Sequence, residues 1–205
     1  MLKIPTTYKT LKGTSEGQYK EKGSKFIGIA INCEDEEEAK QLLAKWKNEH
    51  HQARHLCWAY RFGIKKDLFR ANDDGEPSNS AGAPILGQIQ SFDLTNVLIG
   101  VVRYYGGTKL GVGGLINAYR TAAKEAIENG KIIQEVVKDR FELFFDYADM
   151  ALIMDAVKES DASITKQIFE NDCYLKIAIK IESTEALLAK LETFDSLKIN
   201  KIGTF

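Results

Sequence analysis

Apolar positions in the first two-thirds of the chain switch between the spacing typical of strands and that typical of helices. The pattern predicts strands over residues 25–31, 55–62 and 96–105, and helices over 35–48, 84–90 and 115–129. An acidic run at 34–38 falls in the first turn of the first of these helices, where the helix dipole favours carboxylates. The run therefore indicates a helix start rather than an acidic binding tail.

The last part of the chain follows a different order of elements. The spacing predicts strands over 141–147, 163–169, 173–181 and 197–202, and helices over 149–160 and 184–194. Ser183 is expected to cap the second helix, and a hairpin is expected to turn at Asn171 and Asp172. The order βαββαβ is the split pattern of a ferredoxin-like domain. This part of the sequence shows no motif that carries chemistry.

Charge and glycine content divide the chain at the same place. The whole chain has 28 Lys and Arg against 29 Asp and Glu, but residues 1–137 have a net charge of +3 and residues 138–205 a net charge of -4. Of the 16 glycines, 15 precede residue 138. We therefore predict an α+β protein of two domains, 1–135 and 138–205.

Composition excludes several classes of protein. A chain that is 44% hydrophobic with a net charge of -1 is unlike a disordered segment. Three cysteines without a CxxC pair do not make a disulfide framework. The most apolar stretch, 97–102, is far too short to span a bilayer, and the first residues lack the apolar run of a signal peptide. We expect a cytoplasmic protein without a membrane partner.

A glycine-rich segment at 101–114 is the strongest local feature. Five glycines fall within nine residues between a buried strand and a helix: Gly106, Gly107, Gly111, Gly113 and Gly114. Glycine permits close approach of a ligand and a helix start offers unpaired N–H groups, so the segment suits a phosphate, with Arg103 and Lys109 adding positive charge. It matches neither GxxxxGK[ST] nor GxGxxG, and a tight strand-to-helix turn explains the same glycines as well.

A second polar segment holds three carboxylates within four residues, at Asp73, Asp74 and Glu76. Such a group can bind a hard cation or act as acid and base, and His55 on the preceding strand has similar capacity. The Asp-Gly and Glu-Pro pairs here are also ordinary turn formers, and we favour a structural turn. The cluster His50, His51, His55 and Cys57 lacks the second ligand pair of a zinc site. We predict no metal site and no cofactor.

Six ordered blocks between residues 22 and 115 resemble the YigZ/IMPACT family. The blocks are KGSKFIG at 22–28, HxCxAYR at 55–61, DDGEP at 73–77, AGxPIL at 81–86, LTNV at 94–97 and RYYGGxKLGxGGL at 103–115. Asn117 departs from the family pattern, which has Arg there, and thus removes a positive charge beside the glycine-rich segment. Asn72, Asn79 and Ser80 are further departures.

The resemblance implies a fold and, more loosely, a function. The N-terminal domain is expected to be a two-layer α/β domain similar to domain IV of elongation factor G, and the C-terminal domain similar to its domain V. Eukaryotic members of the family are translational regulators that act through an additional N-terminal domain. Bacterial members have no settled activity, and their fold suggests nucleic-acid or ribosome binding by analogy.

Three function classes remain open. The first is a non-enzymatic RNA- or ribosome-associated factor linked to regulation of translation and to translation-related proteins, in which Arg103, Tyr104, Lys109 and Arg120 join the five glycines as the anion-binding residues. The second is a hydrolase or phosphate-handling enzyme that uses Asp73, Asp74, Glu76 or His55. The third is a protein-interaction module that docks through its acidic C-terminal domain. We favour the first class over an enzyme.

Overall fold

The computed structural model describes residues 5–169 and 172–205 of the 205-residue chain. The described residues divide into two compact units, one over Tyr8–Glu135 and one over Val136–Phe205, the second of which also takes in residues 5–7. The division falls where charge and glycine content change along the sequence. Of the two predicted turn residues, Asn171 lies outside the described residues, whereas Asp172 begins a strand.

The N-terminal unit is a five-stranded sheet with helices packed against it. Its elements are β1 (Thr7–Lys12), β2 (Thr14–Glu21), β3 (Ser24–Asn32), α1 (Glu36–Glu49), β4 (His55–Phe62), β5 (Leu68–Asn72), α2 (Gly82–Ser91), β6 (Val97–Tyr104), α3 (Gly111–Glu128) and β7 (Lys131–Val136). The strand order is β2-β3-β6-β4-β5, with antiparallel neighbours throughout, and β1 pairs with β7 in a separate ribbon. The central strands β3, β6 and β4 carry the core.

Both faces of the five-stranded sheet are covered, because alternate side chains on β3 and β6 point to different helices. On one face, a Cβ added to Gly28 would lie 2.3 Å from the Ala122 carbonyl oxygen, so glycine permits the close approach of α3. On the other face, Gly100 leaves room for the Trp46 ring of α1. Helices α2 and α3 thus share one face. The expected two-layer arrangement is extended by α1, which covers the second face.

Several element boundaries differ from the predicted ones. Helix α1 begins at Glu36, and Asp35 caps it, since its side chain accepts a hydrogen bond from the Glu38 N–H at 2.8 Å. Helix α3 begins at Gly111 rather than at residue 115, so three of the five clustered glycines lie in its first turn. Strands β1, β2, β5 and β7 were not predicted. They are polar or short, and pairing with neighbouring strands rather than apolar periodicity defines them.

The C-terminal unit has the predicted βαββαβ order and is ferredoxin-like. Its elements are β8 (Lys138–Asp146), α4 (Met150–Glu159), β9 (Ser163–Phe169), β10 (Asp172–Lys180), α5 (Thr184–Leu191) and β11 (Lys198–Thr204), in sheet order β11-β8-β10-β9. Apolar side chains of α4 and α5 pack against one face of this sheet. Ser183 lies at the N-cap position of α5 as predicted, but its side chain makes no capping hydrogen bond, and a short 3-10 turn leads into the helix.

Among the described residues, none of the helices is both long enough and apolar enough to cross a membrane.

Candidate anion-binding cleft

The 73–77 turn and the glycine-rich segment face each other across one cleft, with a volume of about 490 Å³. We call it the anion cleft. The turn contributes Gly75, Glu76 and Pro77; the glycine-rich segment contributes Arg103, Tyr105, Lys109 and Gly111; the start of β4 contributes Arg54 and His55. The two strongest sequence motifs therefore form a single site, although 27 residues separate Glu76 from Arg103.

Glu76 links three elements at the inner side of the anion cleft. Its carboxylate is almost fully buried and accepts hydrogen bonds from Arg103 Nη1 at 2.5 Å and from Tyr119 Oη at 2.9 Å. Desolvation by burial, together with the neighbouring Cys57 and Glu76, raises the pKa of Tyr119, which keeps its phenol protonated as a donor. The carboxylate thus serves first to neutralise and orient Arg103.

Arg103 retains unused hydrogen-bonding capacity. Its side chain is buried, and among the described residues its Nε has no hydrogen-bond partner. The guanidinium lies 5.5 Å from the Phe26 ring centroid and 5.4 Å from that of Tyr105. A buried N–H without an acceptor is costly, so a ligand oxygen placed at Nε would be stabilised.

Tyr105 and Arg54 also line the cleft, although neither is among the anion-binding residues predicted from the sequence. The Tyr105 ring is 41% exposed and lies 5.7 Å from the Arg54 guanidinium as well as close to that of Arg103. The sequence signal for Tyr105 is the alternation of side chains along β6, which places residues 103 and 105 on the same face. The sequence signal for Arg54 is weaker, namely its position directly before β4. In the structure, its backbone N–H donates a hydrogen bond to the Arg103 carbonyl oxygen at 2.9 Å.

The start of α3 forms the opposite side of the anion cleft. Leu110 at the N-cap position provides no side-chain hydrogen bond to the first turn. Gly111 has φ +72°, and a Cβ at Gly113 would meet no atom within 4 Å, so the first turn of α3 is open at Gly113. These N–H groups and the exposed Lys109 beside them favour an anion.

Other predicted anion-binding residues have different surroundings. A Cβ at Gly106 would lie 1.9 Å from the Gly23 carbonyl carbon, so this glycine is required by chain packing. Tyr104 packs with the α1 side of the sheet, where its Oη lies 2.9 Å from His50 Nδ1. Gly107 has φ +84° and an open surrounding, Gly114 lies against Leu110, and Arg120 is exposed on α3 without lining the cleft.

Asp73 holds the chain before α2 by accepting backbone hydrogen bonds. Its Oδ1 accepts hydrogen bonds from the N–H groups of Ala81 and Gly82 at 2.9 and 2.8 Å, and its Oδ2 accepts one from the Asn79 N–H at 2.9 Å. A carboxylate with three backbone donors replaces the side-chain cap that α2 lacks. The geometry therefore supports the structural-turn interpretation for Asp73.

Asp74 positions His55. Its Oδ2 accepts a hydrogen bond from the Leu56 N–H at 2.7 Å, and its carbonyl oxygen lies 2.7 Å from His55 Nδ1. A carbonyl oxygen only accepts, so Nδ1 carries the proton, and Nε2 is the nitrogen that faces Glu76 Oε1 at 3.9 Å. Thus the turn fixes both the ring orientation and the tautomer of a histidine that lines the anion cleft.

Cys57 does not provide a nucleophile. Its Sγ–H donates to the Asp73 carbonyl at 3.0 Å, and burial raises the pKa of the thiol, which disfavours the thiolate. Across the described part of the chain, no three His, Cys, Asp or Glu side chains lie close enough together to hold a metal ion.

Comparison with known proteins agrees with this architecture. The family model of the Impact N-terminal domain matches residues 22–127. The chain belongs to the IMPACT family. It is 35% identical to an IMPACT family member of Haemophilus influenzae over 83% of this chain and 84% of the relative, and 30% identical to the IMPACT family member YvyE of Bacillus subtilis over 88% and 83%.

Solved structures of similar proteins exist. A crystal structure of a hypothetical protein covers 98% of this IMPACT-family chain and 99% of its own, at 26% identity and a TM-score of 0.77. A structure of Yih1, described as a two-domain translational regulator, matches 62% of this chain and 50% of its own at 26% identity and a TM-score of 0.38. That description applies to Yih1.

Proposed function

We propose that the anion cleft binds backbone phosphates of RNA, and that this protein is a non-enzymatic RNA- or ribosome-associated factor in the regulation of translation. The observation that carries the proposal is the buried Arg103, whose Nε has no hydrogen-bond partner in the described part of the chain. It lies in a cleft that also contains the start of α3, which has no side-chain cap. Both features present N–H donors, and the oxygens of a phosphate can accept hydrogen bonds from them.

The charges around the anion cleft also support an anion. Glu76 is paired with Arg103, whereas Arg54 and Lys109 are exposed and form no ion pair with the described residues. Cationic side chains on a concave surface contact phosphates without reading sequence, and the exposed Tyr105 ring offers a stacking surface beside them. The link to translation comes from the family, whose eukaryotic members are translational regulators.

Duplex RNA tests the proposal, because phosphates are accessible in a duplex while bases are not. We expect the full chain to bind a short labelled duplex with an affinity that falls steeply as salt rises. Lys109→Gln and Arg54→Gln should each lower the affinity several-fold and reduce the slope of log K against log salt by about 1. Lys65→Gln is the matched control. His55 begins β4 and lines the cleft, whereas Lys65 comes after Phe62, which ends the same strand.

Two results would contradict this function. One is a flat dependence of affinity on salt concentration. The other is an equal loss of affinity in Lys65→Gln and Lys109→Gln, because the contact would then not be located in the anion cleft. Fluorescence anisotropy measures the affinity in each case.

We propose an enzyme as the second candidate, because His55 is oriented in a specific way. With Nδ1–H held by the Asp74 carbonyl, Nε2 faces the anion cleft within 3.9 Å of Glu76 and near Arg103. An imidazole so placed can accept a proton from a nucleophile while the cationic groups stabilise a developing negative charge. In this second candidate function, Asp73 and Asp74 have structural roles.

A hydrolase and phosphotransfer screen tests the enzyme, with and without Mg²⁺. Any turnover should fall by about 100-fold or more in His55→Gln, while folding monitored by tryptophan fluorescence stays unchanged. Absence of turnover across the screen, or turnover unchanged in His55→Gln, would remove this candidate.

A further inference from the structure

The sheet of the C-terminal unit has one face without helices. Alternate residues of β8 and β10, including Leu143 and Leu175, point to the core formed with α4 and α5. The residues between them point to the other side, which no helix of this unit covers among the described residues. We call this second side the open face. The strand registers, rather than loops, determine which residues lie on the open face.

Two aromatic rings lie side by side on the two central strands of the open face. Phe144 on β8 is directly opposite Tyr174 on β10, with ring centroids 5.1 Å apart and an interplanar angle of 55°. Phe144 is 37% exposed, and Ile168, opposite Tyr174 on the outer strand β9, is 40% exposed. The two central strands thus present a paired aromatic surface to solvent.

Cationic side chains are concentrated on the same face. Six of the nine Lys and Arg in residues 138–205 lie on it, but only three of the twelve Asp and Glu that the structure describes in this range. The cations are Lys138, Arg140, Lys166, Lys176, Lys180 and Lys198; the acids are Glu142, Asp146 and Asp172. The described residues of the open face therefore have a net charge of +3, although residues 138–205 as a whole have a net charge of -4.

Contacts within the face orient the Tyr174 ring. The Glu142 carboxylate accepts a hydrogen bond from Tyr174 Oη at 2.9 Å, which holds the ring, and Lys166 Nζ lies 5.8 Å from the Tyr174 ring centroid. Lys198 on the other outer strand pairs in register with Phe144. Each aromatic residue thus has a lysine beside it on an outer strand.

We propose that the open face binds single-stranded RNA, with Phe144 and Tyr174 each stacking on a base while Lys166 and Lys198 contact the flanking phosphates. Unpaired bases stack on aromatic side chains of a four-stranded sheet, and the cations follow the backbone. A duplex cannot use the rings, because its bases are already stacked inside. This site is independent of the anion cleft, since it shares no residue with it.

Binding of a single-stranded oligouridine of about twelve nucleotides to the full chain tests the proposal, measured by fluorescence anisotropy. The double variant Phe144→Leu/Tyr174→Leu should weaken binding at least about tenfold, while Tyr174→Phe, which keeps the ring, should bind within about twofold of the unchanged protein. Tyr147→Leu is the matched control, because Tyr147 is exposed in the same unit but precedes α4, outside the open face.

A second arm tests the lysines. Lys166→Gln and Lys198→Gln should each reduce the salt slope by about 1, whereas Lys158→Gln on α4 should leave it unchanged. Unaltered affinity in Phe144→Leu/Tyr174→Leu with intact circular dichroism would overturn the proposal. It would also be overturned if polyglutamate bound as tightly as oligouridine, because the face would then be a general anionic-protein surface. Loss of oligouridine binding only in Lys109→Gln would assign single strands to the anion cleft instead.

Discussion

The anion cleft and the open face both combine aromatic rings with cations, but they differ in how the cations are held. In the anion cleft, Arg103 is buried and its charge is balanced by Glu76. On the open face, the outer-strand Lys166 and Lys198 are exposed on a flat sheet. The comparison contrasts a buried cation held by a carboxylate in a cleft with exposed cations on outer strands of an open sheet face.

The two regions should also differ in how much their acidic residues contribute to stability. Glu76 is buried with two donors, so its removal leaves an uncompensated buried guanidinium. Glu142 also accepts a hydrogen bond from a tyrosine, but it is only half-buried, and water can replace the lost contact. Paired substitutions at these glutamates therefore compare the regions directly.

The largest effect is expected for Glu76→Ala, which should lower the free energy of unfolding of the N-terminal unit by about 3–5 kcal/mol. Both tryptophans of the chain, Trp46 and Trp58, lie in this unit, so urea unfolding followed by tryptophan fluorescence reports on it. The double variant Glu76→Leu/Arg103→Met should recover much of the loss.

Glu142→Ala is the control for that experiment and should cost about 1 kcal/mol or less, measured by circular dichroism. A loss below about 1 kcal/mol in Glu76→Ala, similar to that of Glu142→Ala, would contradict a buried and paired Glu76.

A smaller effect is expected for Asp73→Ala. Three backbone N–H groups before and at the start of α2 would lose their acceptor, and we expect a loss of about 2 kcal/mol in the same fluorescence experiment. Asp73→Asn retains one oxygen acceptor and should lose less. Equal stability of Asp73→Ala and the unchanged protein would show that Asp73 does not hold the turn.

The smallest effect is a dependence on pH in the C-terminal unit. Burial alone would raise the pKa of Asp139, but hydrogen bonds from Lys201, Thr204 and Thr184 outweigh it, and the pKa is lowered. A carboxyl with a lowered folded-state pKa contributes stability above its unfolded-state pKa, and that contribution is lost as pH falls through the lowered value.

Thermal unfolding followed by circular dichroism should therefore show less acid destabilisation in Asp139→Asn than in the unchanged protein. The substitution itself should lower stability near neutral pH, where the carboxylate is paired. If both proteins lose stability in parallel as the pH falls from neutral to acidic, Asp139 is not the group responsible.

The two regions also differ in what the sequence could predict. The βαββαβ order of the C-terminal unit follows from local apolar spacing, and the same alternation places Phe144 and Tyr174 on one face once the strands are paired. The anion cleft depends on contacts distant in sequence, such as that between Glu76 and Tyr119, which are 43 residues apart. Local pattern does not specify such contacts.

The boundary of α3 shows the same limit. Glycine has low helix propensity, so the sequence favours a start after Gly114, whereas the helix begins at Gly111. Alternation places Arg103 and Tyr105 on one face, whereas Tyr104, a predicted anion-binding residue, lies on the other. Its hydrogen bond with His50 lies on the α1 side of the sheet.

The most direct test of the account is one set of affinities, measured for duplex RNA and single-stranded oligouridine with two variants of the full chain. We expect Lys109→Gln to weaken duplex binding several-fold, while Phe144→Leu/Tyr174→Leu weakens single-strand binding at least about tenfold and leaves duplex binding unchanged. Equal losses for both RNAs in both variants would contradict the claim that the anion cleft recognises phosphates and the open face recognises bases.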